Sequence, residues 1–137
     1  LDTNVLLRYF LNDHAEHSPS ARDLMQAAAK GRISLWFTDT VVFETVFFLF
    51  RRRGVPRDLI REMFRRLLTI ESIHVVSYVP LEDVFNLWVD RPKLSFADCM
   101  HALIAKANDD AVCVSFDKEF SKIPGVVRLE PDQILQP

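Results

Sequence analysis

The sequence predicts an α/β fold in which a short central parallel sheet is flanked by helices on both faces. Short apolar runs typical of strands alternate along the chain with amphipathic helical patterns, and strands connected in this way run parallel. The length of 137 residues fits a single domain covering 1–137. Hydrophobic residues make up 49% of the chain and only 3 residues are glycine, so the composition indicates a compact fold.

The first half of the chain contains signals for three helices and one strand. Val5, Leu6, Tyr9 and Phe10 recur at helical spacing, as expected for one buried helix face. Capping and breaking residues mark the ends of the next elements. These patterns predict helix 3–11, helix 19–30 with Ser18 as its N-cap and Gly31 at its end, strand 33–38, and the apolar helix 40–53 that carries Glu44.

The second half of the chain alternates helices with short strands. Gly54 and Pro56 precede an amphipathic helix that has basic residues between its apolar ones. Arg91-Pro92-Lys93 ends a later helix, and a turn is predicted at Asp109-Asp110. The predicted elements are helix 57–70, strand 73–76, helix 80–90, helix 96–108 with Ser95 as its N-cap, and strands 111–115 and 126–129.

The charge balance argues against a domain that binds nucleic acid through its overall charge. The net charge is −2 and the pI is near 6.1, so contact with RNA or DNA must use a local patch. Arg53, Arg57, Arg61 and Arg65 repeat every fourth residue, which predicts one basic helical side. A solvated helix face is the simpler interpretation, and phosphate binding by Arg53, Arg57 and Arg61 is the functional alternative.

Cysteine usage and hydropathy predict a cytoplasmic protein. Cys99 and Cys113 form neither a metal-binding spacing nor a disulfide framework, so we expect buried free thiols. The sequence shows no signal-peptide pattern, and the apolar stretch 43–50 is too short to span a bilayer. Because the chain opens at Leu1, at a position typical of the end of a strand, we expect the first strand to be truncated.

Four acidic residues lie in apolar surroundings where strands end or helices begin. Asp2 and Asp117 follow strand patterns, Asp98 lies in the first turn of a helix, and Glu44 lies about one turn into another helix. Ligand-binding groups gather at such positions in parallel α/β sheets. An acid at a helix N-terminus is also often only a favourable partner of the helix dipole, so both interpretations stay open for each residue.

Clustered carboxylates would raise each other's pKa unless a divalent cation kept them ionised. Oxygen ligands suit Mg²⁺ or Mn²⁺, and the sequence contains no His–Cys cluster that would favour zinc. A cation held by carboxylates suits phosphoryl chemistry, and hydrolysis of a phosphodiester is the natural reaction. If the four acids meet, they therefore predict a metal-dependent hydrolase.

Four segments resemble the PIN-domain family, and more closely its ribonuclease toxins of VapC type. The resemblance spans nearly the whole chain and preserves the order and separation of the motifs. The chain departs from the family pattern at its start, where only Leu1 remains of the first strand. The matching segments are Leu1-Asp2-Thr3-Asn4, the helix with Glu44 after Thr38-Asp39-Thr40-Val41-Val42, the stretch from Ser95 to Ala105 that contains Asp98, and the stretch from Val114 to Phe120 that contains Asp117.

The resemblance implies a metal-dependent endoribonuclease that cuts single-stranded or looped RNA. It implies that Asp2, Glu44 and Asp98 bind Mg²⁺ or Mn²⁺, with Asp117 as the fourth acid. It also implies that Asn4 and Ser115 support the pocket by hydrogen bonding. The partners it implies are an RNA substrate, a small antitoxin that covers the site, and a second copy of the chain in a homodimer.

Two other classes of protein compete with this interpretation. A PIN-like module could bind RNA or a protein without cutting, although loss of acids would be its signature and all four are present. A phospho-receiver or an aspartate-nucleophile phosphatase would also use acids in an α/β fold. The phosphatase family opens with Asp-x-Asp, and here Asn4 stands where the second Asp would be. Ser115 lacks the Gly-x-Ser-x-Gly setting of a serine hydrolase.

Overall fold

The computed structural model describes residues 1–109 and 111–135, which divide into two compact units, Leu1–Ser77 and Tyr78–Pro137. It confirms the predicted α/β class, because the described residues form seven α-helices and short parallel strands. The predicted turn at Asp109-Asp110 includes position 110, which lies outside the described residues.

The first unit contains four helices and one pair of parallel strands. Its strands pair in register, with Leu35 opposite Ile73 and Thr38 opposite Val76. The predicted bounds of helix 3–11 and strand 73–76 are confirmed. The strand predicted at 33–38 is shorter and covers Leu35–Thr38. The elements are α1 (Thr3–Leu11), α2 (His17–Ala29), β1 (Leu35–Thr38), α3 (Asp39–Phe47), which continues as a π-helical turn (Phe48–Arg52), α4 (Arg57–Leu68) and β2 (Ile73–Val76).

The described residues of the second unit form three α-helices, one 3₁₀ segment and one pair of parallel strands. Cys113 pairs with Arg128 and Val114 with Leu129, so both strands are shorter than the predicted ones. Cys99 and Cys113 are buried free thiols, as predicted. The elements are α5 (Leu81–Asp90), α6 (Phe96–Ala107), β3 (Cys113–Val114), the 3₁₀ segment (Lys118–Lys122), β4 (Arg128–Leu129) and α7 (Pro131–Ile134).

The prediction that Ser18 caps the second helix is wrong. The helix already begins at His17, and Ser18 is buried within its first turn. The reason is that the ring of His14 accepts hydrogen bonds at Nδ1 from the backbone N–H groups of Glu16 and His17, at 3.4 and 3.2 Å. The imidazole of His14, and not the Ser18 hydroxyl, therefore accepts hydrogen bonds from these backbone N–H groups at the start of the helix. The Ser18 hydroxyl instead accepts a hydrogen bond from the backbone N–H of His14 at 3.2 Å.

The prediction that Arg53 shares a helical side with Arg57 is also wrong. The predicted helix 40–53 widens into the π-helical turn and ends at Arg53. Gly54 then adopts a φ of +65°, a left-handed conformation that suits glycine and ends helices. A new helix starts only after Pro56. Arg53 and Arg57 therefore lie on separate helices, although they are four positions apart in the sequence.

Each unit has its own apolar core. In the first unit, Leu6 of α1, Val42 of α3 and Phe64 of α4 are all 0% exposed. In the second unit, the rings of Trp88 and Phe96 pack edge to face with centroids 5.5 Å apart. Among residues 1–109 and 111–135, no helix is both long and apolar enough to cross a membrane.

Truncation of Leu6 tests the core of the first unit. Because Leu6 is fully buried, we expect Leu6→Ala to lower the free energy of unfolding by about 2–5 kcal/mol. Leu59→Ala is the matched control, since Leu59 is 50% exposed on α4 and its loss should cost about 0.5 kcal/mol or less. Urea unfolding followed by circular dichroism measures both, and equal effects would contradict the assignment of Leu6 to the core.

Candidate functional site

Asp2 is the N-cap of α1. Its backbone is extended, with φ −99° and ψ 155°, and its Oδ2 accepts a hydrogen bond from the backbone N–H of Asn4 at 3.2 Å. The backbone nitrogen of Leu1 donates to the carbonyl oxygen of Trp36 in β1 at 2.7 Å. The residue next to Asp2 is thereby tied to the strand, and the Asp2 side chain stays exposed to solvent.

Glu44 is joined to the same place through Thr3. The Thr3 hydroxyl donates to Glu44 Oε2 at 2.5 Å, across 41 positions of sequence. This charge-assisted bond connects the first residue of α1 with the middle of α3. No local signal in the sequence indicates the partner of the Thr3 hydroxyl. The structure thus brings Glu44 beside the residue that follows Asp2.

Asp98 forms a reciprocal cap at the start of α6. Its Oδ2 accepts hydrogen bonds from the backbone N–H and the hydroxyl of Ser95, at 2.8 and 2.7 Å. The Ser95 hydroxyl in turn accepts from the backbone N–H of Asp98 at 3.1 Å. This capping box confirms Ser95 as the N-cap and fixes the half-buried Asp98 carboxylate at the helix N-terminus.

Asp117 caps the 3₁₀ segment that follows β3. Its Oδ1 accepts from the backbone N–H of Glu119 at 2.9 Å, and its own backbone N–H donates to the Ser115 hydroxyl at 3.0 Å. Ser115 therefore shapes the turn that carries Asp117. Asn4 lies two residues after Asp2, and its backbone N–H donates to the Asp2 carboxylate as that of Glu119 does to Asp117.

A cavity of about 400 Å³ lies beside Asp98 in the second unit. Ser115, His101 and Cys113 are among the residues that line it together with Asp98. Burial raises the pKa of the Cys113 thiol, and the negative charge of Asp98 raises it further, while Arg128 acts in the opposite direction. His101, three residues after Asp98 in the sequence, lies at the same cavity as Asp98.

The predicted site residues thus fall into two groups. Asp2, Asn4 and Glu44 lie near the start of α1 in the first unit, and Asp98, Ser115 and Asp117 lie in the second. Within either unit, the described residues include no group of three or more His, Cys, Asp or Glu side chains that could hold a metal ion. The assignment of all four acids to one metal site stays a prediction.

The arginines that follow α3 have distinct neighbours. Arg53 forms an ion pair with Asp13, and its guanidinium also lies 5.8 Å from the ring centroid of Phe48. The Arg57 guanidinium lies 5.0 Å from the ring centroid of Phe50. Farther along α4, two arginines bond to one carboxylate and lower the pKa of Glu62 to about 2. These two are Arg65 and Arg66, each with a nitrogen 2.7 Å from a Glu62 oxygen.

The family profile of the PIN domain matches residues 1–126 of the chain. The matched range contains all four acids and extends over residues of both units. A comparison with curated proteins gave no match. The profile match covers the segments on which the resemblance to this family was based.

Removal of the Ser95 hydroxyl tests the capping box. Ser95→Ala deletes one acceptor and one donor at the start of α6, so we expect the free energy of unfolding to fall by about 0.5–2 kcal/mol. Ser121→Ala is the control, because Ser121 is exposed in the 3₁₀ segment and its loss should change stability by less than about 0.5 kcal/mol. Urea unfolding measures both variants. A Ser95 variant as stable as the control would contradict the cap.

Proposed function

The chain belongs to the PIN-domain family, and on this premise we propose that it is a metal-dependent endoribonuclease that hydrolyses RNA phosphodiester bonds. PIN domains are generally nucleases and typically bind divalent metal ions, so family membership supports the chemistry at that level. The observation that carries the proposal is the complete set of four acids within the matched range. Three of them are held at helix starts by hydrogen bonds.

We propose that the four acids bind Mg²⁺ or Mn²⁺. All are carboxylates, the hard oxygen donors that these cations prefer, so the donor set fits. When bound by such residues, a divalent cation polarises a phosphate and lowers the pKa of an attached water. The proposed ligands are Asp2, Glu44, Asp98 and Asp117.

The surrounding residues hold these carboxylates in place. Ser95 donates twice to Asp98, and Thr3 donates to Glu44, so both carboxylates are held in position by hydrogen bonds. The Ser115 hydroxyl orients the backbone of Asp117. A carboxylate of this set would accept the proton of the water that attacks the phosphate.

We also propose that the protein is the toxin of a VapBC-type toxin–antitoxin pair and forms a homodimer. The similarity of its motifs to VapC toxins supports this role. Phe43 and Phe47, spaced four residues apart on α3, are 37% and 51% exposed. Exposed aromatic residues on one helix side suit a protein partner, either a second copy or a small antitoxin.

A binding module that does not cut RNA is the second candidate. One observation favours it: in neither unit do the described residues bring together three potential metal ligands. Such a module could still contact phosphates through Arg57 and Arg61 on α4. The two candidates differ in whether the acids are needed for a chemical step.

Neutralising Asp98 separates these two functions. We expect Asp98→Asn to reduce cleavage of a structured RNA mixture by about two orders of magnitude or more, because a proposed ligand of the divalent cation is lost. Purified protein without any partner is assayed with Mg²⁺, Mn²⁺ or EDTA. EDTA should abolish cleavage by the wild-type protein.

The matched control for this experiment is Asp83→Asn. Asp83 is the third residue of α5, as Asp98 is of α6, so both changes remove a charge from the same helix position. Asp83→Asn should retain the wild-type rate. If the wild type and Asp98→Asn bind RNA equally and neither cuts it, the binding-module candidate replaces the nuclease.

Charge reversal on α4 tests phosphate binding. Arg57→Glu combined with Arg61→Glu should weaken RNA binding about tenfold or more and reduce the slope of log affinity against log salt by about 2. Arg65→Glu with Arg66→Glu changes the net charge equally near the other end of α4, outside the proposed phosphate contacts, so we expect a smaller effect. Fluorescence anisotropy across a salt series measures this difference. Identical slopes for both double variants would assign the arginines to a solvated face.

A further inference from the structure

One face of the β1–β2 pair carries two aromatic rings, an exposed one on Trp36 and a half-buried one on His74. Trp36 lies opposite His74 in the parallel register, and their ring centroids are 4.4 Å apart with an angle of 32° between the planes. Trp36 is 58% exposed, which is unusual for so large a side chain. Thr38 and Val76 form the next pair along the same face. We call these four residues the Trp36 face.

The rings of the Trp36 face are not part of the unit's core. Side chains alternate between the two faces of a strand, and Phe37 and Ile73 point to the opposite face, where they are 4% and 6% exposed. The sheet therefore buries one face and leaves the other available. The half-buried His74 ring and the exposed Trp36 ring together form an aromatic surface on which a planar ligand could stack.

The Trp36 face adjoins the acids of the first unit. The carbonyl oxygen of Trp36 accepts the hydrogen bond from the backbone nitrogen of Leu1, and Asp2 is the next residue. Thr3 then contacts Glu44. One hydrogen bond and one peptide unit thus separate the ring-bearing strand from the residues that we propose to act on RNA.

We propose that Trp36 and His74 form a stacking subsite for one unpaired base of a single-stranded RNA, which rests on the proposed nuclease function. Aromatic rings on a sheet face stack unpaired bases through their π surfaces, and such stacking tolerates every base. The subsite would hold a nucleotide close to the acids of the first unit. It therefore favours single strands over duplexes, whose bases are not accessible for stacking.

The size of the Trp36 face favours a base over a folded protein. The two strands have 4 residues each, so the face measures roughly 13 Å by 10 Å. A stable protein interface needs about 800 Å² from each partner, several times this area. A nucleobase with its ribose fits the available surface.

The chain provides its own reporter for this subsite. Its 2 tryptophans are Trp36 and the buried Trp88, which is 1% exposed, so a ligand that stacks on the sheet should quench the Trp36 emission selectively. The probe is a single-stranded oligoadenylate, titrated in EDTA so that binding is measured without cleavage. The same strand annealed to oligouridylate should quench much less.

Substitutions then assign the binding to the rings. Trp36→Ala should weaken oligoadenylate binding about five- to a hundredfold by fluorescence anisotropy. Trp36→Phe keeps a ring and should stay within about threefold of the wild type. Leu59→Ala is the control, since Leu59 is an apolar residue of the same unit that is 50% exposed but lies on α4, outside the Trp36 face. Circular dichroism confirms that each variant folds.

The outcomes separate this subsite from the nuclease function. Quenching together with a loss of affinity in Trp36→Ala alone supports the subsite. Wild-type affinity in Trp36→Ala, or binding without quenching, overturns it even if the protein cuts RNA. A Trp36→Ala variant that binds RNA normally and changes only from dimer to monomer in sedimentation also overturns it and assigns the face to a second copy. Quenching without metal-dependent cleavage by the wild type would retain the subsite and reject the nuclease.

Discussion

Backbone N–H groups at helix starts need acceptors, and in this protein carboxylates supply several of them. Asp2, Asp98 and Asp117 each accept a hydrogen bond from a backbone N–H group at the start of a helical segment. The positive end of each helix dipole also favours a negative charge at that position. The bonds that begin these segments therefore fix the acids that the proposed function requires.

This dual use explains why the structural and the functional interpretations of these acids do not exclude each other. Each cap is made through one carboxylate oxygen: Oδ2 in Asp2 and Asp98, and Oδ1 in Asp117. Each cap is a hydrogen bond between residues two or three positions apart in the sequence. The orientation of the capping carboxylate therefore depends little on the packing of distant elements. Glu44 differs, because it lies within a helix and depends on Thr3, 41 positions away.

In the first unit, the proposed contacts with RNA lie on different surfaces, and each surface suits a different part of the RNA. Acids near the start of α1 suit the reaction, arginines on α4 suit phosphates, and the Trp36 face suits an unpaired base. This division fits a chain with a net charge of −2, because local groups rather than the overall charge must attract the substrate.

Local patterns in the sequence determined the helices, the parallel strands and the positions of the capping acids. The bounds of Thr3–Leu11 and the Ser95 cap follow from periodicity and capping, which act over three or four residues. Tertiary structure decided the bond between Thr3 and Glu44, the pairing of Arg53 with Asp13, and the ring pair of Trp36 and His74. Those partners are far apart along the chain. Only the packing of α1, α3 and the strands selects which side chains meet, because no local pattern specifies a partner tens of residues away.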